Sequence, residues 1–257
     1  MKKYNTLMSL HILCWILLVT NPLIGFFPTL SVAYPNGISM SFSFTGTPYM
    51  FVFPILAFLL AEEFSNNDFF YKEAVALLLL AILFEIPFDL VFSYKPFEIY
   101  CSNMFFTLFM GAVALIVQST SWSKITKLLA TAGLCVLSCI TRCDLGIGGI
   151  LLVLLFYYTR SIPHKRLIQL LAMLFIAWIS LKLSLRGIMT MVVPGYYPVG
   201  YSHFINAQYF YVLSLIPISL VRTTPKQISK PFLIALYGSL PLAYLGIYAL
   251  RYFIKGF

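Results

Sequence analysis

Nine apolar stretches joined by short polar connections leave this chain few ways to fold. They run at roughly 8–28, 48–62, 73–92, 104–118, 125–140, 145–159, 167–184, 207–221 and 232–250. A hydrocarbon core about 30 Å thick takes roughly 20 helical residues to cross, so each stretch is long enough or nearly so. Within lipid every backbone N–H and C=O needs a partner inside the protein, which makes these stretches helices. Composition agrees: 61% of the 257 residues are hydrophobic and 10% are charged, against about 25% charged in a soluble domain. The expected fold is all-α, a polytopic transmembrane bundle of eight or nine helices. It forms one integral membrane domain over 1–257, because no repeat, linker or shift in composition marks a second. The count stays open because Pro48 and Pro54 interrupt the second stretch.

Lys and Arg set the expected orientation. With the N-terminus in the cytoplasm and all nine stretches kept, the cytoplasmic side holds Lys2, Lys3, Lys72, Lys124, Lys127, Arg160, Lys165, Arg166, Arg222, Lys226 and Lys230. That is eleven of the 17 basic residues. The net charge of +9 then serves to orient helices and to meet anionic headgroups of the bilayer. It does not predict nucleic-acid binding, since no basic domain carries it. The N-terminus has the basic start, apolar run and Ser31-Val32-Ala33 of a cleavable signal. Its apolar run is longer than a signal needs, and a retained first helix is expected. Segments 29–47 and 187–206 fall on the outer side, the second rich in Tyr, Pro and Gly as interfacial segments are.

Ionisable groups inside a membrane are costly and are candidate functional groups by default. Glu85 and Asp89 stand four apart in the third stretch, on one helix face, with Pro87 between them. Two carboxyls so placed cannot both ionise cheaply, which suits one of them to general acid–base work. The bland alternative is a pair of helix-end groups meeting water or a basic partner. Asn103 and Thr107 repeat the four-residue spacing at the start of the next stretch. They serve either as interhelical glue or as lining of a shared polar pocket. Arg142 and Asp144 form a local ion pair or part of a site, and Gly146, Gly148 and Gly149 beside them permit close approach. Glu62 closes the second stretch, and His203 lies on the second outer segment. Cys135, Cys139 and Cys143 are read as one stripe of the fifth helix, as small residues rather than metal ligands. A Cys101–Cys143 bridge is a minor alternative. No Gly-rich nucleotide loop is present, which disfavours an ATP-driven pump.

Several of these segments resemble those of the TraX family. Phe53 to Glu62 (FPILAFLLAE) is similar to its F-P-x-F-A-F-L-x-x-E-G segment, and Glu85 to Leu90 (EIPFDL) to its E-I-P-F-D-L. Asn103 to Leu108 (NMFFTL), with Gly111, is similar to N-x-x-F-T-L-x-x-G. The run from Asp144 to Tyr157 is similar to D-Y-G-x-x-G-x-L ending in F-Y, and the C-terminal third follows more loosely, including Pro241. The resemblance implies a bacterial inner-membrane protein of the acyltransferase type. It implies acetyl-CoA as donor and a pilin-type N-terminus, as in conjugation, or another amine as acceptor. It also implies an Asp-His pair in the first helix, an Arg before the F-P segment and a His in the last helix. At those places this chain has Thr20-Asn21, Met50 and Ala243, and the usual Glu-Gly is Glu62-Glu63. Three readings follow: membrane N-acetyl transfer, a non-catalytic role in assembly or partner binding, and small-molecule transport. On the first, Glu85, Asp89 and Asp144 are the expected catalytic groups, with Asn103, Thr107, Glu62, Arg142 and His203 at the substrate.

Overall fold

A computed structural model describes residues 5–24, 30–33, 39–42, 47–65, 70–97, 102–141, 143, 145–183, 210–221 and 229–255. Its helices are α1 (Asn5–Ile24), α2 (Thr47–Phe64), α3 (Phe70–Ser93), α4 (Met104–Ser119), α5 (Lys124–Ile140), α6 (Gly146–Thr159) and α7 (Lys165–Leu183). A 3-10 turn at Phe210–Ser214 leads into α8 (Leu215–Leu220), and α9 (Lys230–Gly238) and α10 (Leu240–Lys255) follow. Each expected stretch has its helix. Between α1 and α2 lies a short antiparallel ladder of β1 (Leu30–Ala33) and β2 (Ser39–Phe42), with Leu30 opposite Phe42 and Ala33 opposite Ser39. Among the described residues the remaining elements are helical.

Prolines do not divide α2. Pro48 falls in its first turn, where a missing N–H costs nothing, and the helix continues through Pro54. α2 is the central element: Val52, Phe53, Ile55 and Ala57 are all fully buried, as in a helix that is apolar on every side. It packs on α1, α4 and α6, and α4 joins α6 and α3. α10 packs on α3 and α1.

Apolar side chains also cover the outside. On α3 the stripe Val75, Leu79, Ile82 and Ile86 is exposed while Ala74, Ala81, Phe84, Phe88 and Val91 are buried. Ile125, Leu128 and Ile140 on α5, and Leu242 and Phe253 on α10, extend this surface. An exposed apolar surface so extensive belongs in lipid. Phe70–Ser93 and Lys230–Ile254 are each long and apolar enough to cross a membrane.

Side-chain contacts sort the helix ends onto two sides. One side gathers the start of α3 with the start of α9, through Glu73 and Lys230 at 2.5 Å. It also gathers the ends of α2 and α6, through Glu62 and Arg160 at 3.4 Å, and joins Arg166 near the start of α7 to the Ile218 carbonyl of α8 at 2.9 Å. The other side gathers the ends of α1, α3 and α10, because the Arg251 guanidinium donates to the carbonyls of Pro22 and Val91. There too the segment before α4 meets the end of α5: the Ser102 hydroxyl donates to the Thr141 carbonyl at 3.2 Å.

Candidate functional site

The start of α4 is built around Asn103. Its extended backbone makes it the N-cap, and its Oδ1 accepts from the Phe105 N–H at 3.0 Å. That satisfies one of the donors a helix start leaves free. Its Nδ2 donates across to α3, to the Ala81 carbonyl at 2.8 Å and to Glu85 Oε2 at 2.5 Å. The Asn103 backbone N–H donates to the same Glu85 oxygen at 3.1 Å. Glu85 is therefore held at the positive end of α4 by two donors from one residue.

The expected partnership of Glu85 with Asn103 is thus present. Asp89, one turn further along α3, is buried and close enough for its charge to act on Glu85. Thr107, one turn into α4, is fully buried at the junction of α4 with α2 and α6. A Cβ added to Gly149 would stand 2.3 Å from the Thr107 methyl and 2.9 Å from Phe53 Cζ. Close approach, anticipated for the glycine cluster, is thus required at Gly149. Arg142, Asp144 and His203 lie outside the described residues, as does Cys101. Cys143 falls beyond the end of α5 rather than on its stripe, because the helix closes at Ile140 and the chain turns. Its sulfur sits 3.2 Å from the Thr141 hydroxyl. Among the described residues no group of three metal-ligating side chains converges.

Glu62 lies at the opposite end of α2. Besides Arg160, the charges of Lys165 and Arg166 act on it. The Arg166 guanidinium also donates to Gln169 Oε1 at 2.9 Å, and Gln169 donates to the Thr159 hydroxyl at 2.8 Å. One carboxylate thus stands among three cations, an excess of positive charge at this end.

Sequence reasoning missed two features. Arg251, six residues from the C-terminal end of the sequence, is buried where α1, α3 and α10 end. Its place in an apolar helix was the available signal. The second is His11, whose Nδ1 lies 2.8 Å from the Tyr237 hydroxyl. No local pattern announces a pair so distant in sequence.

A family model described as TraX protein matches residues 41–220, more than half of the chain. The chain belongs to the TraX family. The TraX match runs from β2 through α8 and includes Glu62, Glu85, Asp89, Asn103, Thr107 and Gly149. α1, α9 and α10, and with them Arg251, lie outside it. No curated protein and no solved structure matches the chain.

Proposed function

We propose that this TraX protein is a multi-pass membrane acyltransferase that moves an acetyl group from acetyl-CoA to an amine. The acceptor is a pilin-type N-terminus or a similar amine presented at the outer side of a bacterial inner membrane. The observation that carries the reading is Glu85, a carboxylate inside an apolar bundle held on α4 by the backbone N–H and side-chain amide of Asn103.

The sorted helix ends support an orientation. The side bearing Glu62, Arg160, Lys165, Arg166 and Lys230 is the basic one and faces the cytoplasm, which puts the N-terminus there too. The Glu85–Asn103 pair then lies toward the outer side. The donor set at the basic end fits a polyanionic donor: Arg160, Lys165 and Arg166 outnumber Glu62. Acetyl-CoA supplies an acyl group activated as a thioester. Gly149 and Arg160 are separated by roughly 16 Å of α6 at 1.5 Å per residue, a span suited to the extended pantetheine arm between phosphates and thioester.

In this reading Glu85 is the general base. It accepts the proton that the acceptor nitrogen loses as the new N–C bond forms, while the C–S bond breaks and the departing sulfur is protonated. Asn103 is a positioning residue that fixes the Glu85 oxygen. No histidine base is needed in α1, where Thr20 and Asn21 take up no proton near neutrality.

The test is labelled acetyl transfer from acetyl-CoA to peptide amines by purified protein in lipid nanodiscs. Glu85→Gln is expected to lower turnover by about 10²-fold or more, the scale of general-base catalysis. Asn103→Ala is expected to lower it less. Absence of transfer by the wild type would overturn the enzyme reading in favour of an assembly role. That second reading is motivated by Thr20-Asn21 and Ala243 at the family's expected reactive places.

A further inference from the structure

Several hydroxyls in this bundle turn back onto their own helices. Thr20 donates to the Leu17 carbonyl at 3.2 Å, Thr159 to Leu155 at 2.6 Å and Ser138 to Cys135 at 2.7 Å. This back-bond satisfies a hydroxyl in apolar surroundings without a second helix. Thr107 departs from the habit. It is fully buried in the first turn of α4, and among the described residues its Oγ1 has no hydrogen-bond partner. The reason lies on the other arm of the side chain. Its methyl is seated against Gly149, and a β-branched side chain so seated keeps little χ1 freedom. The hydroxyl is left unpaired by the packing that fixes it. One turn back on the same helix face stands Asn103, which holds Glu85.

We infer that the Thr107 hydroxyl is the donor to the acyl carbonyl oxygen, which makes Thr107 a second catalytic residue beside Glu85. The inference rests on the acyl-transfer reading above. A lone hydroxyl buried in an apolar bundle, with no partner among the described residues, offers one donor. A neutral carbonyl with a short apolar tail matches those terms, whereas a charged ligand would need a counter-charge. As the acceptor nitrogen adds to that carbonyl, its oxygen gains negative charge and the bond from Thr107 strengthens. The proton lost by the nitrogen goes to Glu85, and Thr107 keeps its own.

Two substitutions separate hydroxyl from shape. Thr107→Val keeps the methyl facing Gly149 and removes the oxygen; Thr107→Ser keeps the oxygen and removes the methyl. The full chain in nanodiscs is assayed for acetyl transfer and for its melting temperature with and without acetyl-CoA. Thr107→Val is expected to lose about 10²-fold or more in kcat, as on removal of an oxyanion donor. Its ligand-free melting temperature should stay level or rise, because an unpaired buried hydroxyl is gone. Thr107→Ser should restore most of the turnover. Wild-type turnover in Thr107→Val overturns the inference and leaves the acyl-transfer reading standing. A loss of turnover together with a lowered melting temperature overturns it as well, in favour of a packing role. Should the wild type transfer nothing, the acetyl-CoA shift decides. A shift present in wild type and lost in Thr107→Val supports the hydroxyl as a ligand contact without that reading, and no shift in either overturns both.

Discussion

Where α2, α4 and α6 meet, the contact is made of glycines, methyls and rings; where α1 meets α9 and α10, it is made of hydrogen bonds. In the first seam a Cβ on Gly111 would stand 2.7 Å from Val153 Cγ2, and one on Gly149 would collide with Thr107. Phe58 and Phe156 meet edge to face at 5.7 Å. In the second seam four steps climb α1. His11 meets Tyr237 at 2.8 Å, Trp15 donates to Ser239 Oγ at 3.0 Å, Tyr244 donates to the Leu18 carbonyl at 2.9 Å, and Arg251 donates to the Pro22 carbonyl. Positions 11, 15, 18 and 22 are one face of a helix. Lipid tails are as apolar as the helices, so burial alone does not bring helices together, and the two seams use the two remaining means: close packing and polar bonds. The packed seam lies within the TraX match, and the bonded one joins the two regions outside it. One seam should therefore be sensitive to added volume, the other to lost partners.

The largest expected effect is on the packed seam. Gly149→Val should destabilise by about 3 kcal/mol or more, the upper range for overpacking, because the Thr107 methyl, the Phe53 ring and the Leu145 Cβ all stand in the way. Thermal melts and the yield of monodisperse protein report it. A stable Gly149→Val protein would remove the contrast at its strongest point. Gly111→Ala should cost less, about 1 kcal/mol, since one side chain, Val153, stands in the way rather than three.

Next comes the polar seam at its charged end. Arg251→Met removes a donor shared by two helix-end carbonyls at little change in length, and should cost about 2 kcal/mol. Arg251→Lys should recover only part, because an ammonium lacks the planar fork that reaches both carbonyls. Equal melting temperatures for all three proteins would show that Arg251 is not a clamp.

The smallest effect isolates one neutral step. A double-mutant cycle with His11→Phe and Tyr237→Phe should give a coupling of about 0.6 kcal/mol, the average for interhelical hydrogen bonds in membrane bundles. A cycle on Gly111 and Val153, read beside it, sharpens the comparison: coupling there should come from volume and reverse when Val153→Ala is combined with Gly111→Ala.

The polar half of the site was partly legible. Glu85, Asn103 and Thr107 drew notice because each is polar within an apolar stretch, and their four-residue spacings put them on helix faces. The spacing could not say that Asn103 would bond Glu85 while the Thr107 hydroxyl stayed unpaired. Those outcomes depend on how far α3 and α6 stand from α4, which Ala81 and Gly149 set across the bundle.

The sequence by itself determined that the chain is helical, where each helix runs, and which family it belongs to. Backbone groups in lipid have no partner but their own helix, so an apolar run of sufficient length admits one local structure. The tertiary structure alone decided which helix faces meet. It turned Arg251 from a terminal charge into a clamp and paired His11 with Tyr237. It also gave Thr107 a methyl contact in place of a back-bond. In a bundle apolar on both its inner and outer surfaces, hydrophobic periodicity does not tell neighbour from lipid. That choice rests on shape and on single hydrogen bonds between residues far apart in the chain.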